Sequence, residues 1–178
     1  MRIFQSLLLL ALIAGTVLGQ DVKLPSMTHL DENDTLRGAR LTPSEQQQVF
    51  EEVAGISFDT PDSWESELRV RRVILGGIEE GLVLQGTTLL CGGTGNCETF
   101  VLRRVNSKWI AMFDEQAPVA SGFGFAGESS NGLKNFVIAA NQSAESEKYA
   151  VYKFDGKLYR ASQCYEKNKA QIKTVSCK

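Results

Sequence analysis

Cys91-Gly-Gly-Thr-Gly-Asn-Cys97 is a stretch of small turn residues between two cysteines, and an apolar segment follows it. Phe100-Val-Leu-Arg-Arg-Val105 and Lys108-Trp-Ile-Ala-Met-Phe113 indicate two strands on either side of Asn106-Ser107. Two strands around a short turn that contains asparagine are typical of a β-hairpin. The sequence therefore predicts a cysteine-closed loop that leads directly into a hairpin.

A second copy of this hairpin lies further along the chain. Tyr149-Ala-Val-Tyr-Lys-Phe154 and Lys157-Leu-Tyr-Arg-Ala161 indicate its strands, and Asp155-Gly156 is the stronger type I′ turn signal of the two. A further strand candidate precedes each hairpin, at Leu82-Val-Leu84 and Phe136-Val-Ile-Ala-Ala140. The predicted fold class is therefore α+β, mainly β: an antiparallel sheet or partly open barrel that is built from two similar three-stranded units.

The helical part of this prediction rests on Thr42-Pro-Ser-Glu45. Threonine is a good N-cap, proline suits the first helical position, and a glutamate three residues after the cap completes a capping box. Apolar residues then recur on one face of the predicted helix: Val49, Phe50, Val53 and Ala54. Gly55 ends the pattern, and we expect this N-terminal amphipathic helix to pack on the sheet.

Strand candidates also lie outside the two units. Residues 68–75 alternate apolar side chains with arginines, and the alternation slips at Arg72, which indicates a bulge. Residues 119–125 indicate another strand, which overlaps Gly122-Phe-Gly-Phe-Ala-Gly127, a formal match to a dinucleotide-binding pattern. That pattern counts only between a strand and a helix. Because Glu128-Ser-Ser-Asn-Gly132 indicates a turn, we interpret the glycines as a bent strand or loop and predict no cofactor.

The N-terminus has the pattern of a secretory signal. Met1-Arg2 gives a positive start, residues 7–14 are apolar, and small residues precede a cleavage point between Gly19 and Gln20. The apolar run is too short for a stable membrane span, so none is expected after signal cleavage. The predicted location is secreted or periplasmic. We predict three parts of the chain: a signal peptide at 1–19, a flexible N-terminal arm at 20–40, and a single α+β domain at 41–178.

The composition argues against several classes of function. The chain has 19 basic and 21 acidic residues and a formal net charge of −2, whereas nucleic-acid binders usually carry a basic excess. Its one histidine, His29, lies in the predicted arm, and there is no Gly-x-Ser-x-Gly motif. Carboxylates crowd before the first strand, in a cluster that we interpret as a solvated turn: Asp59, Asp62, Glu65 and Glu67. We therefore predict no nucleic-acid partner, no catalytic residues and no enzymatic activity.

All four cysteines follow the predicted cleavage point. An even number in a secreted chain indicates two disulfides, for which three pairings exist. We favour Cys91–Cys97 with Cys164–Cys177, because each pair closes a local loop, while a Cys97–Cys164 bond would tie the two hairpins together. A zinc site is another interpretation of four cysteines, but the spacings lack a Cys-x-x-Cys pair. No metal site is predicted.

Several features between Cys91 and Tyr165 resemble a group of uncharacterised secreted bacterial proteins that share a Cys-Gly-x-Thr-Gly-Asn-Cys loop. The shared features are that loop before an aromatic strand start, Asn131-Gly132, Ser143-Ala144, Tyr152-Lys-Phe-Asp-Gly156, and Tyr159 ahead of Cys164. The resemblance covers less than half of the chain. It implies a bacterial envelope or extracellular location, and it brings no activity with it.

The order of strand, cysteine-closed loop and hairpin is also similar to that in bacterial inhibitors of vertebrate-type lysozyme. In that family a disulfide-closed loop plugs the lysozyme cleft. Here five residues separate Cys91 from Cys97 instead of the family's four, and the loop has no His or Asp. The resemblance therefore implies a protruding rigid loop, without the residues that carry inhibition in the family.

The predicted function is that of a non-enzymatic binding protein with an unknown protein or glycan partner in the cell envelope. A loop that is ordered before binding loses little entropy on binding. The residues that the loop would present are Gly92, Gly93, Thr94, Gly95 and Asn96. An exposed aromatic rim from Phe123, Phe125 or Tyr152 would favour a binding site over a merely stapled turn. The alternatives are an inhibitor of a cell-wall hydrolase that acts through this loop, a structural envelope component, and a hydrolase.

Basic side chains recur on the predicted strands, at Arg69, Arg71, Arg103, Arg104, Lys153 and Arg160. One interpretation is a single basic face that meets an anionic glycan or a lipid head group. The other is the solvated side of an antiparallel sheet. The sequence leaves both open.

Overall fold

A computed structural model describes residues 22–57, 67–87, 91–114 and 117–177. These residues form one α-helix, α1 (Pro43–Ser57), and ten β-strands. The strands are β1 (Leu68–Gly76), β2 (Glu79–Gly86), β3 (Cys97–Val105), β4 (Lys108–Ala111), β5 (Val119–Ala120), β6 (Gly122–Ser130), β7 (Leu133–Asn141), β8 (Ser146–Phe154), β9 (Tyr159–Asn168) and β10 (Gln171–Val175). The predicted signal peptide at 1–19 lies outside the described residues, as do Asp59, Asp62 and Glu65 of the acidic cluster.

The strands form two open antiparallel sheets. The first sheet has the order β1-β2-β3-β4, and the short β5 pairs with the beginning of β3. The second sheet has the order β10-β9-β8-β7-β6. The α+β, mainly β class is confirmed, and both predicted three-stranded units form, as β2-β3-β4 and β7-β8-β9. They lie in two separate sheets, however, rather than in one sheet or a partly open barrel.

Burial on both faces of the strands explains this separation. On β2, Leu82 and Leu84 point to one side and Val83 to the other, and all three are 0% exposed. A sheet with one face in water alternates buried with exposed side chains instead. Each sheet therefore needs an apolar cover on both sides, which a single layer or a barrel wall does not provide.

Three apolar cores alternate with the two sheets. The first core lies between the first sheet and α1, which contributes Val49. The second core lies between the sheets and brings together Val83 of β2 and Phe136 of β7. The third core lies on the far side of the second sheet, where Leu24 packs against a cluster that contains Val137. We call the two sheet surfaces that face away from the second core the outer faces.

The helix begins as its capping box predicts. The Thr42 backbone N–H donates to Glu45 Oε2 at 2.9 Å, and the Glu45 backbone N–H donates to Thr42 Oγ1 at 3.3 Å. Two further side chains of α1 accept from the open edge of β4: Gln48 Oε1 from the Trp109 backbone N–H, and Glu52 Oε2 from that of Ala111. The helix thus covers one outer face and also satisfies the edge of the sheet. It ends at Ser57, two residues beyond the predicted end.

The turn between the strands agrees with the prediction at the first hairpin and differs from it at the second. Asn106 and Ser107 have φ of 49° and 66°, and a type I′ turn requires positive φ at both central residues. The second hairpin, where the stronger type I′ signal lies, has a longer connection instead. The Asp155 backbone N–H donates to the Leu158 carbonyl at 2.9 Å, so residues 155–158 all lie between β8 and β9.

The segment predicted as a flexible arm, which the structure describes from residue 22 onward, packs against the domain at several points. Leu36 is 2% exposed and belongs to the first core. Thr28 and Phe123 exchange two backbone hydrogen bonds, of 2.6 and 2.9 Å. A Cβ on Gly122 or Gly124 would come within 2.9 Å of this segment. Gly122 and Gly124 therefore let the N-terminal segment lie close to β6. The register of β6 against β7 shifts between Phe125 and Ser129, as in a bent strand.

The polar C-terminal tail also contributes to the sheet. Residues 171–175 form β10, which pairs with β9 from Gln171 to Val175. The Cys164–Cys177 disulfide closes this hairpin. Most of β10 is exposed, so it has no apolar alternation that would identify a strand in the sequence.

Candidate functional site

The Cys91–Cys97 loop is an ordered projection at the start of β3. A disulfide joins the two cysteines, which is the pairing that the sequence favours. Inside the loop the Gly92 backbone N–H donates to the Asn96 carbonyl at 2.8 Å, and the Gly95 N–H donates to the Gly92 carbonyl at 2.9 Å. Gly95 has a φ of +75°, a conformation that glycine adopts without strain. Residues 92–95 are exposed to solvent.

The side chain of Asn96 anchors the loop to the second sheet. Its Nδ2 donates to the Asn141 carbonyl at 2.7 Å, and its Oδ1 accepts from the Asn141 backbone N–H at 2.7 Å. In return, Asn141 Nδ2 donates to the Thr94 carbonyl at 3.0 Å. We call this set of contacts the asparagine clamp. Because of it, the Asn96 amide faces the protein, and the exposed surface of the loop consists of residues 92–95.

A buried polar contact supports the base of the loop from below. Gln85 is 6% exposed, and its Nε2 donates to Thr99 Oγ1 at 3.1 Å and to the Ala120 carbonyl at 2.6 Å. Thr99 Oγ1 donates in turn to the Cys97 carbonyl at 3.0 Å. The loop is therefore held by its disulfide, by the asparagine clamp and by this contact between β2, β3 and β5.

The aromatic rim that would favour a binding site does not form around the loop. Phe123 is 3% exposed and lies in the core between the sheets. Phe125 and Tyr152 are half-buried and pack against the same core, and the ring centroid of Tyr152 lies 5.0 Å from that of Phe113. The loop therefore offers backbone groups and small side chains to a partner, without an aromatic anchor from these residues.

The basic strand residues do not gather on one face. Arg104 lies on the outer face of the first sheet, whereas the Arg103 guanidinium stacks over Phe154 at 5.6 Å. Most of them form ion pairs: Arg71 with Asp34, Arg103 with Glu79, Arg104 with Glu45 and Glu80, and Arg160 with Asp114 and Asp155. These arginines stabilise local contacts, and the structure disperses the charge that a single basic face would need.

The described carboxyl groups with a shifted pKa are all shifted downward: Asp34, Glu45, Glu147 and Asp155. The hydrogen bond from the Thr42 backbone is the largest cause of the lowered pKa of Glu45, and the hydrogen bond from the Tyr149 hydroxyl is the largest for Glu147. A general acid in a glycosidase needs a raised pKa. These groups therefore give the hydrolase alternative no support.

Two further features are absent from the residues that the structure describes. No group of three or more His, Cys, Asp or Glu side chains in them is arranged to hold a metal ion. Among the described residues, no helix is both long enough and apolar enough to cross a membrane. The histidine, His29, has its Nδ1 at 2.8 Å from the Ser121 carbonyl, where it helps to hold the N-terminal segment against β6.

Comparisons with protein-family models, curated proteins and solved structures find no match for this chain. The resemblances to secreted bacterial proteins and to lysozyme inhibitors therefore stay predictions. Of the residues that build the loop site, the sequence missed Asn141. Its partner Asn96 lies 45 positions away, and no local pattern links the two.

Proposed function

We propose that this protein is a secreted or periplasmic binding protein without enzymatic activity, and that residues 92–95 contact a protein or glycan partner in the cell envelope. The observation that carries the proposal is the asparagine clamp, since it holds a disulfide-closed, exposed loop in one conformation. Ordering a loop in advance removes part of the entropic cost of binding. A turn that served only to connect two strands would not need this second set of contacts.

The disulfides support an extracellular location. Two of them join all four cysteines of the chain, and disulfides persist in oxidising compartments such as the periplasm and the cell exterior. The predicted signal peptide points in the same direction. We therefore place the proposed partner outside the cytoplasm.

The shape of the loop favours a concave partner. Gly92 and Gly93 have no side chains, and a Cβ on Gly93 would meet no atom within 4 Å. A projection of this kind leaves the backbone N–H and C=O groups of Gly93 accessible at its tip, and it fits a cleft better than a flat surface. This supports the second candidate function, inhibition of a cell-wall hydrolase through insertion of the loop into its cleft.

A matched pair of glycine variants tests the proposal. Gly93→Arg adds a large side chain to the tip of the loop, and Gly127→Arg adds the same side chain at another open position, on β6. Neither glycine has a positive φ, so we expect both variants to fold. The mature protein and both variants are titrated against c-type lysozyme and against purified peptidoglycan.

We expect the parent to bind at least one probe, Gly93→Arg to weaken binding by tenfold or more, on the order of the loss of one interface anchor, and Gly127→Arg to bind like the parent. Inhibition of lysozyme that is lost only in Gly93→Arg identifies an inhibitor. Binding to peptidoglycan alone, with the same pattern, identifies an envelope-binding protein. Equal binding by Gly93→Arg and the parent, or no binding to either probe, overturns the proposal.

A further inference from the structure

A cleft opens on the outer face of the second sheet, away from the loop. Its volume is about 630 Å³, within the range of small-molecule sites. One wall is the N-terminal segment at residues 22–25, and another is β6 around Phe125. The floor includes Val137 of β7 and Val151 of β8. Most of the lining residues are apolar, whereas polar atoms contribute slightly more than half of the exposed lining surface, so the cleft suits a ligand with both an apolar part and a polar part.

Two side-chain amides of the cleft are oriented as donors. Asn135 is 1% exposed, and its Oδ1 accepts from the Ser130 hydroxyl at 2.7 Å. Gln163 Oε1 accepts from the Tyr165 hydroxyl at 3.1 Å. A primary amide has one acceptor oxygen and two N–H donors. Because both oxygens are engaged within the protein, both side chains retain N–H groups that a ligand can use.

A positive charge adds to these donors. Lys153 on β8 lines the same cleft, and its ammonium group forms no ion pair with any residue that the structure describes. Lys23 in the N-terminal wall contributes a second cation, and Glu128 contributes a carboxylate. The cleft thus combines apolar side chains, N–H donors and a net positive charge.

We propose that this cleft binds a small organic acid with an apolar chain, whose carboxylate is held by Lys153 and the Asn135 amide. Charge complementarity decides between the possible occupants. A carboxylate accepts charge-assisted hydrogen bonds from ammonium and amide groups, which are stronger than neutral ones. A neutral or cationic head group would leave the Lys153 charge unpaired, and the side-chain oxygens of Asn135 and Gln163 already have donors.

The N-terminal segment makes the site responsive to occupancy. Residues 22–25 contribute a wall, and the nearest backbone bonds that fix this segment to the sheet are the two between Thr28 and Phe123. A ligand that fills the space between this wall and the sheet adds contacts to the segment. Bound ligand should therefore slow hydrogen exchange at the Thr28 and Phe123 amides, because their bonds break when the segment lifts.

Three probes with the same alkyl chain test the proposal: decanoate, decanol and decyltrimethylammonium. Binding to the mature protein is followed by calorimetry and by the side-chain amide signals of Asn135 and Gln163 in NMR spectra. We expect decanoate to bind at least about tenfold more tightly than either other probe, as the loss of a charge-assisted hydrogen bond predicts. The two amide signals should shift with decanoate.

Variants separate this site from the loop. Lys153→Gln should weaken decanoate binding about tenfold while leaving decanol binding unchanged, whereas Lys157→Gln, in the adjacent exposed connection, should bind decanoate like the parent. Gly93→Arg should also leave decanoate binding unchanged, so failure of the loop proposal and failure of this one are distinguishable. Decanoate binding that is absent, no tighter than that of decyltrimethylammonium, or unaffected by Lys153→Gln overturns the proposal.

Discussion

Arg104 and Lys153 occupy equivalent positions in the two hairpins, one residue before the end of the first strand. Arg104 lies 5.8 Å from the Trp109 ring centroid and forms ion pairs with Glu45 at 3.3 Å and Glu80 at 2.9 Å. Lys153 lines a cleft and has no carboxylate partner among the described residues. The same kind of residue on the same kind of strand is therefore structural in one sheet and available in the other.

The difference comes from what covers each outer face. Over the first sheet, α1 buries an apolar stripe and supplies Glu45 to the arginine. Over the second sheet, the cover is an extended segment that has no acidic side chain in the part that lines the cleft, residues 22–25. A basic side chain on a sheet surface thus remains available for a ligand where the cover brings no counter-charge.

The largest expected effect contrasts the two covers by the same substitution. Val49 of α1 is 0% exposed. Val49→Ala removes two methyl groups and should lower the free energy of unfolding by about 2.5 kcal/mol, since a cavity adds to the lost burial. Val22 is half-buried in the extended segment, so Val22→Ala should cost about 0.5 kcal/mol. Urea denaturation measures both. Equal losses would show that the two covers stabilise their sheets alike.

A second, smaller effect tests how tightly the extended segment lies against β6. A Cβ on Gly124 would come within 2.9 Å of the Ser26 carbonyl, whereas one on Gly127 would meet nothing within 4 Å. Gly124→Ala should therefore cost about 1.5 kcal/mol, as crowding of a packed contact does, and should speed hydrogen exchange at the Thr28 amide. Gly127→Ala is the control. If hydrogen exchange at the Thr28 amide is the same in both variants, the close contact between Gly124 and Ser26 does not hold the segment in place.

A third test addresses the equivalent basic residues directly. Arg104→Gln removes two ion pairs and a contact with Trp109, so we expect a loss of about 1 kcal/mol. Lys153→Gln removes no protein contact that the structure shows, and the unfolding free energy should change by less than about 0.5 kcal/mol. Thermal unfolding of the two variants measures the contrast. A larger loss in Lys153→Gln would assign that lysine a structural role.

Local sequence signals predicted the parts of the fold that depend on local chemistry. The capping box at Thr42 and Glu45 forms both of its hydrogen bonds, and the strands on either side of Asn106-Ser107 pair as a hairpin. The division into two sheets was not predictable in this way, because it depends on which faces meet. β10 was not predicted, because most of this strand is exposed and its sequence does not alternate apolar with polar residues.

The candidate sites show the same limit. The disulfide-closed loop follows from the spacing of Cys91 and Cys97, but its anchor on Asn141 requires the second sheet to lie beside it. The cleft draws its lining from the N-terminal segment and from four strands, β6 to β9. Nothing in the sequence separated Lys153 from the other basic strand residues, because its environment depends on a segment that the sequence predicts to be flexible.

The last expected effect, similar in size to that of Arg104→Gln, is a pH dependence that belongs to the first sheet. The hydrogen bond from the Thr42 backbone, together with Arg104 and Arg72, holds the pKa of Glu45 below its ordinary value. Because the folded-state pKa is the lower one, the Glu45 charge contributes stability above the unfolded pKa, and this contribution is lost as pH falls through the folded pKa. Glu45→Gln should therefore be less stable than the parent at neutral pH, by about 1 kcal/mol, and the gap should close in acid. Glu128→Gln, at an exposed glutamate on the second sheet, is the control and should be as stable as the parent at neutral pH. If Glu45→Gln stays less stable than the parent in acid, the Glu45 charge is not the source of the difference.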